Sequence, residues 1–494
     1  MKRREKCGKY KAAIINLGCK VNKYEADSMK DKLLMAGYDI VEPEEKADVY
    51  IVNTCSVTNM AQKKSRQMLR RAKKMNPEAV IVAAGCYVNA EHDTLKEESF
   101  VDVVVSNNCK KDIVAVITEY MENKSSGDYY IDINRTKEYE EMGSLQAACM
   151  NHQRAYIKIQ DGCNQFCSYC IIPFTRGRVR SRKADQILAE IRKLAGEGVK
   201  EFVLTGIHIS SYGIDLREKE SQYDEVMENK SSMQKNGTPG ESNPEDTISE
   251  TTQEITELGQ LVKAIAEIPE VERIRLGSLE PRIITDAFLM ELSKSQKFCP
   301  HFHLSLQSAC NSTLKRMNRK YTIEEFIEKC RMIREAFDMP AITTDVIVGF
   351  PGETEEEFAT TMENLTRLGL YEIHVFKYSV RAGTVAEKLP DQVPEKIKGE
   401  RSEALLALTA RQKEEYEQAM KGYMDEVLFE ECLDTGKEDL KEVELINEEG
   451  EISKSFLLAD GSSKYFTGHT KRYVKVKMLA NDDVINKVVR VKFV

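Results

Sequence analysis

Three cysteines on one short loop carry the strongest chemical signal in this chain. Cys163, Cys167 and Cys170 stand in Asp161-Gly162-Cys163-Asn164-Gln165-Phe166-Cys167-Ser168-Tyr169-Cys170, directly after an apolar run that reads as a strand, Ala155 to Gln160. No further cysteine or histidine follows nearby. A structural zinc site is closed by four ligands with paired spacing, and this loop offers three. A four-iron cube held by three thiolates keeps one iron open to a small chelating molecule. The spacing therefore points to an iron-sulfur cluster used for chemistry.

A second set of cysteines sits in a repeated pattern of strand, cysteine-bearing turn and charged helix. The apolar runs are Ala12 to Leu17 before Cys19, Val49 to Val52 before Cys55, and Val80 to Ala84 before Cys86. Strands alternating with helices imply a mostly parallel sheet whose strand C-termini share one edge, so three cysteines distant in sequence are expected to meet there. A fourth run, Val101 to Val105, makes Cys109 a rival ligand, whereas Cys7, Cys149, Cys299, Cys310, Cys330 and Cys432 read as inert.

From about residue 150, six further strand candidates separated by helices suggest an incomplete parallel barrel with its chemistry at the strand ends. Residues 217–256 turn polar and acidic and read as a disordered insertion. A charged helical linker and short strands in the last segment suggest a small β-barrel. At 494 residues several domains are expected. The boundaries are 1–125, 149–395, a linker at 396–420, and 421–494. No apolar run of membrane-spanning length occurs and no export signal precedes the first strand, so a cytoplasmic location without membrane contact is expected. Thirteen cysteines there serve metals or chemistry more often than disulfides. A net charge of -9 excludes indiscriminate coating of nucleic acid but not local basic faces.

The Cys-x3-Cys-x-aromatic-Cys loop at the end of a first barrel strand resembles the radical S-adenosylmethionine signature. The contexts Asn16-Leu17-Gly18-Cys19-Lys20-Val21-Asn22, Asn53-Thr54-Cys55-Ser56 and Ala84-Gly85-Cys86-Tyr87 resemble the N-terminal domain of the methylthiotransferases, and the terminal β segment resembles their TRAM domain. The resemblance implies two [4Fe-4S] clusters, one on Cys163, Cys167 and Cys170 and a second on Cys19, Cys55 and Cys86. It implies two uses of S-adenosylmethionine, as radical source and as methyl donor, to place a methylthio group on C2 of an adenine. An aromatic C2-H is too weakly acidic and too poorly electrophilic for ordinary acid-base or thiolate chemistry, which is why a radical is needed.

Within that family, Gly206-Ile207-His208 with Tyr212-Gly213 resembles the branch acting on N6-threonylcarbamoyladenosine at position 37 of tRNA. The alternatives are isopentenyladenosine at the same position, a ribosomal-protein aspartate, or a metal-stabilised RNA-binding protein without catalysis. Tyr169, Gly206, Gln307 and Gly349 are expected near S-adenosylmethionine, while His208 reads equally as structural. Leu304-Ser305-Leu306-Gln307-Ser308-Ala309 lacks the proline and glycine that relatives often carry there. Basic clusters at Lys63 to Lys74, at Arg176 to Lys183 and at Lys315 to Lys320 are expected to grip the phosphates of an anticodon loop. The electron donor and the sulfur source are not indicated.

Overall fold

The computed structural model describes residues 10–123, 127–143, 145–146, 153–217, 255–433, 440–446, 464–480 and 484–494. The acidic segment read as disordered, apart from its ends, lies outside them, as do Cys7 and Cys149.

The N-terminal part is a six-stranded parallel sheet in the order β2-β1-β3-β4-β5-β6. Its strands are β1 (Lys11–Asn16), β2 (Asp39–Ile40), β3 (Val49–Thr54), β4 (Val80–Gly85), β5 (Val103–Val105) and β6 (Gly127–Tyr129). Every residue of β3 and β4 is buried, because helices cover both faces, and this explains their unbroken apolar runs. Helix α1 (Lys20–Met35) begins immediately after Cys19, and helix α2 (Asn59–Met75) is capped by Thr58, whose side chain accepts from the Ala61 amide.

The middle part holds two parallel sheets, β7 (Arg154–Lys158), β10 (Glu201–Thr205) and β11 (Arg273–Leu276), then β12 (His301–Gln307), β13 (Ala341–Val348) and β14 (Glu372–Lys377). Parallel bridges Ile274↔Phe298 and Leu279↔Leu304 join them into one curved wall ordered β7-β10-β11-β12-β13-β14. This is a six-stranded barrel left open between β7 and β14. A short antiparallel pair, β8 (Gln160–Asp161) with β9 (Arg180–Ser181), pins both ends of the cysteine loop.

The N-terminal sheet spans that opening. Helix α1 packs on β7, and past β14 the Arg381 guanidinium donates to Asn59 Oδ1 at 2.6 Å and Gln62 Oε1 at 2.9 Å. One continuous apolar core joins α1 and the N-terminal sheet to the barrel helices.

Helix Glu395–Ala419 leads to a closed five-stranded barrel in the order β15-β17-β18-β16-β19. Its strands are β15 (Met424–Leu433), β16 (Lys441–Leu445), β17 (Lys464–Thr470), β18 (Lys475–Ala480) and β19 (Val488–Phe493). It docks on the opposite end of the large barrel from the cysteine loop. Arg273 and Arg275 donate to the carbonyls of His469 and Lys471 at 2.9 Å, and Arg154 pairs with Glu430 at 2.6 Å. Among the described residues, no helix is long and apolar enough to cross a membrane.

Candidate active site

Each cysteine loop is shaped by a glycine that precedes it. Gly162 has φ of 73°, and a Cβ there would lie 1.8 Å from the Arg178 carbonyl oxygen, so only glycine lets the two ends of the loop close. Gly18 has φ of 102°, and its Cβ would meet Cys55 Sγ at 3.0 Å, which places the Cys19 turn directly against Cys55. Cys55 follows β3, and Cys86 opens the short helix Cys86–Ala90 after β4, so all three thiols gather at one sheet edge. They also feel one another's charge: Cys86 acts on Cys19 and on Cys55, and Cys19 on Cys55. Cys109 stands apart, with Ser106 Oγ at 3.5 Å and Glu140, Asp112 and Lys111 as its charged neighbours.

Burial raises the thiols of Cys19, Cys55, Cys163 and Cys170, to about 11 at Cys55 and Cys163 and about 12 at Cys170. Thiols protonated at neutral pH are poor nucleophiles, whereas metal ligation strips the proton outright. Three soft sulfur donors gathered at each place are a set that fits an iron-sulfur centre. Each set also receives an arginine: Arg176 Nε donates to Cys86 Sγ at 3.1 Å, and Arg319 Nη1 to Cys167 Sγ at 3.2 Å. Such N-H donors offset the negative charge that thiolates bring to a cluster.

Arg176 ties the two loops together. Its Nη1 donates to Glu25 Oε1 at 2.8 Å and to Asp161 at 3.1 Å, and its Nη2 to Asn22 Oδ1 at 2.6 Å. Glu25 on α1 also pairs with Lys158 at 2.7 Å and with Lys110. Burial alone would push the Glu25 carboxyl up, but Arg176, Lys110 and Lys158 hold it well below the usual carboxylate range. The arginine run was expected to grip phosphate, and here the structure corrects it. Arg176, Arg180 and Arg182 are 0, 1 and 2 % exposed. Arg176 and Arg182 are spent on Glu25, Asp161, Glu141 and Glu190, and Arg180 lies beside Asp161 at 3.7 Å. Arg178 and Lys183 remain exposed in that run, as do Lys63, Lys64, Arg70, Arg71 and Lys74 on α2 and Lys315 and Lys320 beyond β12.

The residues expected near S-adenosylmethionine occupy one rim. Gly206 follows β10 against Gln160, where a Cβ would stand 3.0 Å from the Gln160 carbonyl oxygen. Gln307 closes β12 after a register shift and adopts φ of 75°. Gly349 follows β13, its amide donating to Glu353 Oε2 at 2.6 Å. Tyr169 packs edge-on to Phe350 in a small aromatic cluster at 6.3 Å. His208 is held by Ser211 Oγ at 2.7 Å, and burial together with Arg319 and Arg282 brings its imidazole down to about 4.

Inside the barrel lies a polar group that the residue patterns had not singled out. His303, Asp345 and His374, on β12, β13 and β14, bring one ligand atom each within 4.8 Å of one another. His303 Nδ1 meets Thr343 Oγ1 at 2.9 Å, and its Nε2 faces Asp345 at 3.3 Å. Lys20, next to Cys19, reaches the same chamber. Its charged neighbours Arg275, Arg154, Glu201 and Asp345 come from four different barrel strands, and burial with the two arginines brings its ammonium down to about 8.

Comparison with known proteins decides the family. Residues 157–365 match the radical SAM superfamily, and residues 11–106 match the uncharacterized protein family UPF0004. The chain is 36 % identical to the threonylcarbamoyladenosine tRNA methylthiotransferase MtaB of Bacillus subtilis, over 97 % of this chain and 93 % of that protein. It belongs to the radical S-adenosylmethionine methylthiotransferases. The methylthiotransferase is also 35 % identical to MtaB of Aquifex aeolicus, over 88 % of this chain and 98 % of that one. Against a tRNA-2-methylthio-N(6)-dimethylallyladenosine synthase of Thermoanaerobacter the figure is 34 %, over 84 % and 81 %. Membership makes this methylthiotransferase an enzyme that uses a [4Fe-4S] cluster and S-adenosylmethionine.

Proposed function

We propose that this enzyme converts N6-threonylcarbamoyladenosine at position 37 of tRNA to its 2-methylthio derivative. The MtaB relatives, whose names carry that substrate, support this reading. The observation that carries it is the chamber lined by His303, Asp345, His374 and Lys20. A threonylcarbamoyl substituent has a carboxylate for the ammonium and imidazoles, and urea N-H groups for the Asp345 carboxylate. An isopentenyl substituent offers these groups no hydrogen-bonding partner, and a site built to hydrogen-bond a substrate group discriminates against an analogue that lacks it.

In this reading Cys163, Cys167 and Cys170 hold the radical-generating cluster, and Cys19, Cys55 and Cys86 hold a second [4Fe-4S] cluster. Gly206, Gln307, Gly349 and Tyr169 border S-adenosylmethionine. When bound, these groups supply the electron, the 5'-deoxyadenosyl radical, the sulfur and the methyl group. The chain's own residues hold the two thiol sets on facing loops, neutralise them with Arg176 and Arg319, and cover the opening between β7 and β14 with the N-terminal sheet. The domains run 1–125, 149–395 and 421–494, with 396–420 as linker.

Nucleoside mass spectrometry of tRNA from a deletion strain tests the function. Loss of 2-methylthio-threonylcarbamoyladenosine alone is expected; loss of the isopentenyl derivative instead would overturn it. Anaerobic reconstitution tests the clusters: about eight irons are expected, with about four lost on replacing each cysteine triad by alanine.

A further inference from the structure

The cluster loop displays two aromatic rings that the chemistry above does not use. Phe166 sits between Cys163 and Cys167 and adopts φ of 48°, a left-handed conformation that bulky side chains avoid. The Asn318 side chain locks it there by donating to the Phe166 carbonyl at 3.0 Å. Phe166 is nonetheless 37 % exposed, and Phe174, in the short helix Ile172–Thr175, is 47 % exposed. Their rings meet edge to face at 6.2 Å and 77°. The Arg178 guanidinium lies 4.3 Å over the Phe166 ring, and among the described residues it pairs with no carboxylate. Neighbours on the same loop behave in the ordinary way: Pro173 and Thr175 are buried.

A chain that strains its backbone to hold a ring in water gains nothing in folding from doing so, and such strain concentrates where a ligand is met. We propose that Phe166, Phe174 and Arg178 form a stacking platform for an unpaired RNA base beside the target adenosine, with Arg178 meeting the backbone phosphate. Charge and shape favour RNA. Aromatic faces with an unpaired guanidinium are the chemistry on which single-stranded bases stack irrespective of sequence. The place is right as well, because the target base must leave its stack to reach a recessed cofactor, and its exposed neighbour needs a new partner. This inference rests on the tRNA reading and adds the surface that receives the loop.

The test uses the anaerobically reconstituted full-length enzyme and a synthetic anticodon stem-loop, either intact or with abasic sites flanking position 37. Phe174→Ala, outside the cysteine spacing, is expected to weaken binding of the intact loop about tenfold, within the roughly five- to hundredfold range of base-aromatic stacking, and to leave the abasic loop unaffected. Phe174→Trp should restore binding. Phe166→Ala should behave as Phe174→Ala does, with iron content unchanged. Equal weakening of both loops, or of neither, overturns the platform. So does unchanged RNA binding with slowed cluster reduction by a protein donor, which would make the patch a protein-docking face. If the unaltered enzyme binds no anticodon loop, the tRNA reading itself falls and the platform with it.

Discussion

Replacing Glu25 by glutamine should open the joint between the N-terminal sheet and the barrel. Glu25 is 1 % exposed and is the shared partner of Arg176, Lys110 and Lys158. Lys158 and Arg176 keep Asp161 at 2.6 and 3.1 Å, but Lys110, itself fully buried, has its ion pair with Glu25. Glutamine preserves the shape and removes the charge, leaving the buried Lys110 ammonium without its ion-pair partner and only the nearby Glu140 to offset it. Breaking such a pair costs about 3–5 kcal/mol, or roughly two to four powers of ten in the local opening equilibrium at about 1.4 kcal/mol per decade. A single melting temperature is ill-suited to a chain of several domains. Hydrogen exchange on α1 and β7 reads the joint directly, and the amides of β15 and β17 in the small barrel serve as the internal control. Exchange at α1 and β7 should accelerate at least a hundredfold while the control stays within a factor of a few. Lys110→Met in the Glu25→Gln background should recover at least tenfold, because it removes the stranded charge. Less than tenfold acceleration, or equal acceleration in the control, refutes the reasoning. The Glu25 carboxyl is depressed in the folded state, so its contribution is fully present above the ordinary carboxylate pKa near 4.3 and is lost only as pH falls through the folded value.

Other outcomes follow from the same geometry. His208 falls from 6.5 to about 4 on folding, so the unfolded chain takes up a proton that the native one refuses. Stability should drop as pH falls from 6.5 toward 4, by at most about 3 kcal/mol before solvent screening, and a His208→Gln variant that keeps the full acid sensitivity would contradict this. Arg319→Met removes a positive donor from Cys167, which should lower the reduction potential of the cluster on that loop; an EPR-monitored redox titration with no shift would rule out the tuning role. Lys20→Gln should cut binding of a threonylcarbamoylated stem-loop about tenfold or more while sparing one with unmodified adenosine, with iron content as control. Equal affinities would remove Lys20 from substrate recognition.

Much of the fold could be read from the residues because parallel strands covered on both faces are continuous apolar runs, as β3, β4 and β10 are. The strand β17, Lys-Tyr-Phe-Thr-Gly-His-Thr, is harder to read because polar residues and a glycine interrupt it, Thr467 and Gly468 being buried beside Phe466. The arginine run from Arg176 to Arg182 misled for a different reason. A charged run predicts a solvated face, but burial here is decided by Glu25, Asp161, Glu141 and Glu190, and two of these, Glu25 and Glu141, are far away in the chain and brought near only by folding. The chamber residues did leave a signal. In β12, His301, His303, Ser305 and Gln307 alternate with Phe302, Leu304 and Leu306, a period of two that marks a polar inner face in a barrel whose outer face meets apolar helices.

The open seam between β7 and β14 gives these observations a common cause. In the proposed function a radical is made at one set of thiols and used beside another, which asks for a fixed separation between the two loops and a shared space. A closed eight-stranded barrel would wall off the second set, whereas an unfilled gap would flood the chamber. Closing the gap with the N-terminal sheet meets both needs only if the sheet cannot slide. Apolar packing tolerates small shifts, but an ion cluster with directional bonds does not. Arg176 is placed to enforce this: one nitrogen donates to Cys86, and another bonds Asp161, two residues before Cys163. Displacing one loop against the other by the length of a hydrogen bond would break that guanidinium's contacts on one side, so Arg176, together with the Glu25 ion pairs beside it, holds the spacing between the loops.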